Sequence, residues 1–188
     1  MRNHKIIFLL FSFVFIRCAA IFSGIYTRAE ISSLVCVLLY ILTSFAFYKS
    51  TPEKRPLGFL KSVAAVLLFV GLSYGISTLL SLFIETSSPE ITLVQGLIAV
   101  LLVPLAEELF YRATLFRMLD ESMPPLLSVI FASLIFSLAH SGLSSVIASF
   151  VLGVILTLLY KRTGSILLPV ICHTANNLLA FFFVLKGY

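Results

Sequence analysis

Only two of the eight acidic residues stand inside an apolar, helix-reading run. They are Glu107 and Glu108, in Pro104-Leu-Ala-Glu-Glu-Leu-Phe-Tyr-Arg112. The other six, Glu30, Glu53, Glu85, Glu90, Asp120 and Glu121, fall in short polar gaps. Ionisable groups deep in apolar sequence are costly, so they usually mark a pathway or reaction site and face protein rather than lipid. Two more polar points lie downstream in similar surroundings, Phe136-Ser-Leu-Ala-His140 and His173-Thr-Ala-Asn-Asn177. Carboxylate, imidazole and amide together are the groups that move protons and stabilise an oxyanion.

Helical spacing divides the labour among them. Neighbours on a helix point about 100° apart, whereas i and i+4 share a face. Glu107 and Glu108 therefore address different surroundings. Glu108 and Arg112 are four apart with the acid first, the favourable order for a helical ion pair. Glu107 is left without a helical partner, and a spare carboxylate in a low-dielectric site is suited to work on a proton. The bland alternative is a buried ion network that merely ties helices together. Phe136 and His140 share a face, as do His173 and Asn177. A lone intramembrane His is usually a hydrogen-bonded core residue, but these two accompany the intramembrane carboxylates. Counted along their helices, Glu107, His140 and His173 can meet in one layer, expected to be reached from the cytoplasmic side. Pro104 and Pro169, three and four residues ahead of Glu107 and His173, predict kinks beside that layer.

The elements that must position these groups are spans. Of 188 residues 60% are hydrophobic and 11% charged, and the mean hydropathy is +1.12. Soluble domains carry about a quarter charged residues. Apolar runs of bilayer-crossing length recur throughout, so the expected fold is all-α, a polytopic transmembrane bundle of about seven spans. The first run starts at Ile6 behind Met1-Arg-Asn-His-Lys5 and resembles a signal peptide, with Cys18-Ala-Ala20 a cleavage-like site. An uncleaved first span is the reading taken, in which Arg17 either snorkels or points into the bundle. The others cover about Ile31–Tyr48, Phe59–Ile84, Ile91–Leu119, Leu126–His140, Leu143–Tyr160 and Ser165–Leu185. Residues 1–90 form an N-terminal unit of about three spans and 91–188 a core of about four. Gly71-Leu-Ser-Tyr-Gly75 in the third run reads as ordinary close helix packing. Cys18, Cys36 and Cys172 have no metal-ligand spacing and read as packing residues.

Charge orients the chain. Lys and Arg concentrate in the N-terminus and the second, fourth and sixth loops, which puts those parts in the cytoplasm and the C-terminus outside. The net charge of +5 is spread singly or in pairs between spans, so no nucleic-acid partner is implied. The expected location is a bacterial plasma membrane, with the bilayer itself as a partner.

Glu107-Glu108-x-x-x-Arg112, Phe136-x-x-x-His140 and His173-x-x-x-Asn177, in this order inside apolar helices, resemble the motif set of the CAAX-protease and bacteriocin-processing family (CPBP or Abi intramembrane proteases). The resemblance runs from about Gly96 to Phe183. It implies that Glu107, His140 and His173 are catalytic with Asn177 assisting, while Glu108 and Arg112 support them. It further implies an intramembrane endopeptidase acting on a membrane-associated peptide or a lipidated protein. Water would be activated by Glu107 as base and oriented by His140, with His173 and Asn177 donating to the oxyanion. The rival class is a non-enzymatic membrane protein, either a bacteriocin-immunity or scaffold factor or a small transporter subunit. Family members are commonly called metalloproteases, and a catalytic zinc needs three protein ligands plus an open position. If Glu107, His140 and His173 were those ligands, no general base would remain. If Glu107 is the base, only two good ligands are left. The metal-free arrangement is therefore the reading taken, with no firm cofactor and zinc on Glu107, His140 and His173 as its alternative.

Overall fold

The computed structural model describes residues 11–17, 29–47, 57–84 and 91–185. The start of the first run, the cleavage-like site at Cys18-Ala-Ala20 and the loop around Lys54 lie outside these residues. Everything regular among them is helical: α1 (residues 11–17), α2 (Ala29–Phe47), α3 (Phe59–Ser81), α4 (Leu93–Asp120), α5 (Pro125–Ser137), α6 (Leu143–Thr163) and α7 (Leu167–Leu185). The fold is the all-α bundle that the apolar runs predict. Among the described residues α3, α4, α6 and α7 are long and apolar enough to cross a membrane, while Ile31–Phe47 and Pro125–Ser137 are shorter apolar helices.

Local chemistry sets the boundaries. Helix α4 opens with a capping box: Thr92 Oγ1 accepts from the Gln95 backbone N–H at 3.2 Å, and Gln95 Oε1 accepts from the Thr92 N–H at 2.7 Å. Two orphan donors of the first turn are thereby satisfied. The break between α5 and α6 falls at Gly142, whose φ of +83° is readily reached only without a side chain. Pro125 occupies the first turn of α5, where its missing N–H costs nothing.

Helix α4 is the axis of the bundle. Its first segment, Leu93–Leu101, ends at Leu102, and Val103–Glu108 restarts with Pro104 in its first turn. The next eight residues, Leu109–Phe116, form a π-helix, followed by a last α-helical turn, Arg117–Asp120. Helix α2 packs along α4, and α3 packs on α6 and α7. Tyr40, Phe110, Tyr111, Phe116 and Phe136 form the centre of the main apolar core. The Tyr40 and Tyr111 hydroxyls, both buried, bond to each other at 2.8 Å and fix α2 against the π-helix. At Gly96 a Cβ would run into the Phe181 ring, so α4 and α7 approach as closely as they do only with glycine there.

Asp120 Oδ1 accepts from Lys161 Nζ at 2.7 Å and from Ser128 Oγ at 2.8 Å. One end of α4, α5 and α6 is held together by these bonds. One expectation fails on α3. Gly71 and Gly75 have open space where a Cβ would stand, and they line a shallow apolar groove of about 390 Å³ with Leu68, Leu72 and Leu79. No helix among the described residues uses the small-residue pair for close packing, because α3 turns its serine face rather than its glycine face to α6 and α7.

Candidate active site

The interrupted helix α4 presents three charged side chains in two directions. Glu108 is fully buried and Arg112 is 1% exposed, and the Arg112 Nη1–Glu108 Oε1 distance is 2.8 Å. The pair read from i, i+4 spacing is therefore present although Arg112 lies within the π-helical segment. The guanidinium also sits 4.2 Å from the Phe136 ring centroid, a cation–π contact strengthened by burial.

The same Glu108 oxygen takes a second donor from another helix. His173 Nδ1 lies 2.9 Å from Glu108 Oε1. An ionised carboxylate only accepts, so Nδ1 carries the hydrogen. This bond fixes the ring and leaves Nε2 for chemistry, the role a carboxylate commonly plays behind a working histidine. His173 Nε2 points toward Glu107, with Oε2 at 3.8 Å. That is beyond a hydrogen bond, and one small molecule can touch both groups from beside their line. Spacing alone assigned Glu108 to Arg112 and gave no sign of this second partner, 65 residues away.

Phe136 gathers the rest. Its ring meets the His140 ring edge-on with centroids 5.0 Å apart, and the His173 ring at 5.8 Å. His140 Nδ1 lies 3.2 Å from the Phe136 carbonyl, which accepts from it and turns His140 Nε2 outward. Asn177 Nδ2 donates to the Ala99 carbonyl at 2.9 Å, five residues before Pro104 in the interrupted part of α4. One of its two amide hydrogens is thus committed to α4. Buried Glu108 Oε2, Arg112 Nε and Arg112 Nη2 have no partner among the described residues.

Two chambers flank this cluster. One of about 340 Å³ is lined by His140, His173, Asn176, Asn177 and five serines, Ser73, Ser77, Ser144, Ser145 and Ser149. It lies toward the α5–α6 turn and the C-terminal halves of α3 and α7, away from the Asp120–Lys161 end. Access was expected from the end bearing the basic loops; the chamber sits in the opposite half, beside His140 and the α5–α6 turn. The second, about 250 Å³, holds Glu107 together with Arg17, Ser32, Ser33, Cys36 and Tyr40. Arg17 therefore points into the bundle, the second of its two expected placements. Glu107 stands between the two spaces, with His173 on its other side.

Among the described residues no group of three or more His, Cys, Asp and Glu side chains has the arrangement of a metal site. As placed, Glu107, His140 and His173 do not form a three-ligand set.

Fold and cluster together define a polytopic helical membrane protein with a buried carboxylate–imidazole centre opening on a polar cavity. Residues 89–179 match the family model described as type II CAAX prenyl endopeptidase Rce1-like. That segment, which holds every motif residue from Glu107 to Asn177, is similar to the Rce1-like (CPBP) family, and the match supports a CAAX-type intramembrane protease, a peptide hydrolase. Comparison with curated proteins and with solved structures returns no match.

Proposed function

We propose that the protein hydrolyses a peptide bond in a membrane-associated or lipidated peptide without a metal, using Glu107 as general base. The observation that carries this reading is the clamped imidazole. His173 is held through Nδ1 by a buried carboxylate and turns Nε2 toward a second carboxylate 3.8 Å away, at the wall of a polar cavity. Water between Glu107 Oε2 and His173 Nε2 gives its proton to Glu107, and its oxygen bonds to the scissile carbonyl carbon. His140, turned to the same cavity, orients the water. His173 Nε2, with the ring hydrogen on Nδ1, accepts the other hydrogen of that water, and the remaining amide hydrogen of Asn177 serves the oxyanion. As the C–N bond breaks, the proton on Glu107 passes to the leaving amine. Geometry in a substrate-free site is commonly looser than in the reacting complex, and 3.8 Å is consistent with that. Glu108 and Arg112 act behind His173 rather than on the substrate.

The basic end of the bundle, including Lys161, is assigned to the cytoplasm by the charge rule, in a bacterial plasma membrane. The reading is tested by comparing membrane-associated peptides from cells making the wild type or Glu107→Gln. A peptide that stays full-length only with Glu107→Gln is the expected result. Identical peptide populations, with both proteins present in the membrane, would rule the reading out.

A further inference from the structure

The active-site cavity does not end at the histidines. A second space of about 550 Å³ continues from it along the seam between α3 and α7, sharing Ser73, Ser77, Asn176 and Ala180 with it. Farther on, it is lined by Thr78, Ser81, Leu179 and Phe183. Residues 69–81 of α3 flank this length, about 18 Å at 1.5 Å per residue. Helix α3 lies wholly outside the matched residues 89–179, and nothing in the catalytic scheme uses it.

Its serine face is unusual for a span. Ser73, Ser77 and Ser81 recur every four residues on one side, while Leu72, Gly75 and Leu79 line the apolar groove on the other. Ser73 is 95% buried, being only 5% exposed, and lines both spaces. Its hydroxyl has no hydrogen-bond partner among the described residues. Its oxygen is not sealed off but opens on the two spaces, where a hydrogen-bonding occupant can reach it. Ser73 is therefore placed for something that enters the groove.

We propose that the α3–α7 seam binds the substrate's peptide backbone in extended form, with Ser73, Ser77 and Asn176 hydrogen-bonding it; this rests on the peptide-hydrolase reading above. Hydroxyls four apart on a helix rise about 6 Å. Alternate residues of an extended chain are about 6.6 Å apart, so every second peptide group meets a hydroxyl. Some five extended residues fill about 18 Å at roughly 3.3 Å each. The stacked rings of Tyr74 and Phe183, 5.7 Å apart, and Leu179 supply apolar wall for side chains. An endopeptidase needs such a groove, because an extended backbone exposes the scissile carbonyl that a helix would hide.

The test uses the full chain in lipid vesicles, with Cys18, Cys36 and Cys172 replaced by Ala and one cysteine introduced, Ser77→Cys or Leu79→Cys. The probe is a farnesylated peptide ending in a Cys-aliphatic-aliphatic-X sequence. A hydrophilic maleimide should alkylate Ser77→Cys at least tenfold faster than Leu79→Cys, and saturating probe should slow that reaction at least tenfold. In the otherwise native chain, Ser73→Ala and Ser77→Ala should raise KM roughly two- to twelvefold, the value of one neutral hydrogen bond, with kcat within twofold. An unreactive Ser77→Cys, or a reactive one that probe does not shield although wild type cleaves the probe, would overturn the groove. Shielding without cleavage by the wild type would keep the groove and sink the hydrolase reading instead. Absence of both shielding and cleavage would sink both.

Discussion

Replacing Glu108 should do more damage to the folded protein than replacing Glu107, although the two are neighbours. Glu108 Oε1 takes Arg112 Nη1 at 2.8 Å and His173 Nδ1 at 2.9 Å, in a site with no exposure. Glu108→Ala strands a guanidinium that is 1% exposed, and breaking a buried pair in this way costs about 3–5 kcal/mol. For a chain of this size each kcal/mol lowers Tm by about 2–4 °C, so the expected fall is roughly 6–20 °C. Arg112→Ala should fall in the same range, leaving a buried carboxylate. Glu107 reaches His173 only at 3.8 Å, so Glu107→Gln should change stability by less than about 1 kcal/mol. The assay is thermal unfolding of the three variants in detergent, followed by tryptophan-independent aggregation or thiol exposure. Equal Tm for Glu107→Gln, Glu108→Ala and Arg112→Ala would refute the division into a reacting carboxylate and a holding one.

Three further outcomes follow from the same geometry. His140→Ala and His173→Ala should each lower cleavage about a hundredfold or more while protein stays in the membrane; near-normal cleavage by either would remove it from the site. Activity should survive a strong chelator, and purified protein should carry no stoichiometric zinc; loss on chelation with recovery on adding metal would make Glu107, His140 and His173 ligands. Gly96→Ala should destabilise by about 1–3 kcal/mol through collision with Phe181, and Phe181→Ala in the same chain should recover part of the loss; a neutral Gly96→Ala in unfolding would show that α4 and α7 are looser than described.

What could be read from sequence follows the range of the interactions involved. The Glu108–Arg112 pair is local, four residues apart on one helix, and stands where spacing put it. So do the apolar runs, since burying backbone in lipid demands helices, and the Gly142 break. His173 on Glu108 is different in kind. It depends on how far α7 is rotated and shifted against α4, which turns on close approaches such as Gly96 against Phe181. Periodicity within either helix carries no such information. The π-helix Leu109–Phe116 is equally silent, because it keeps Glu108 and Arg112 in reach while widening the turn between them. Tyr40 with Tyr111 joins residues 71 apart and is visible only once α2 is docked. The half of the bundle in which the cavity stays open is hidden for the same reason. Counting residues up each helix gave depth but not which side of the layer stayed unfilled.

The central claim is that Glu107 activates water for peptide hydrolysis. Its most direct test is cleavage of the farnesylated probe by purified protein in lipid, run in oxygen-18 water. Wild type should place one oxygen-18 in the new C-terminal carboxylate, and folded Glu107→Gln should yield at least a hundredfold less product. Cleavage by Glu107→Gln at close to the wild-type rate, with the same label, would contradict the account.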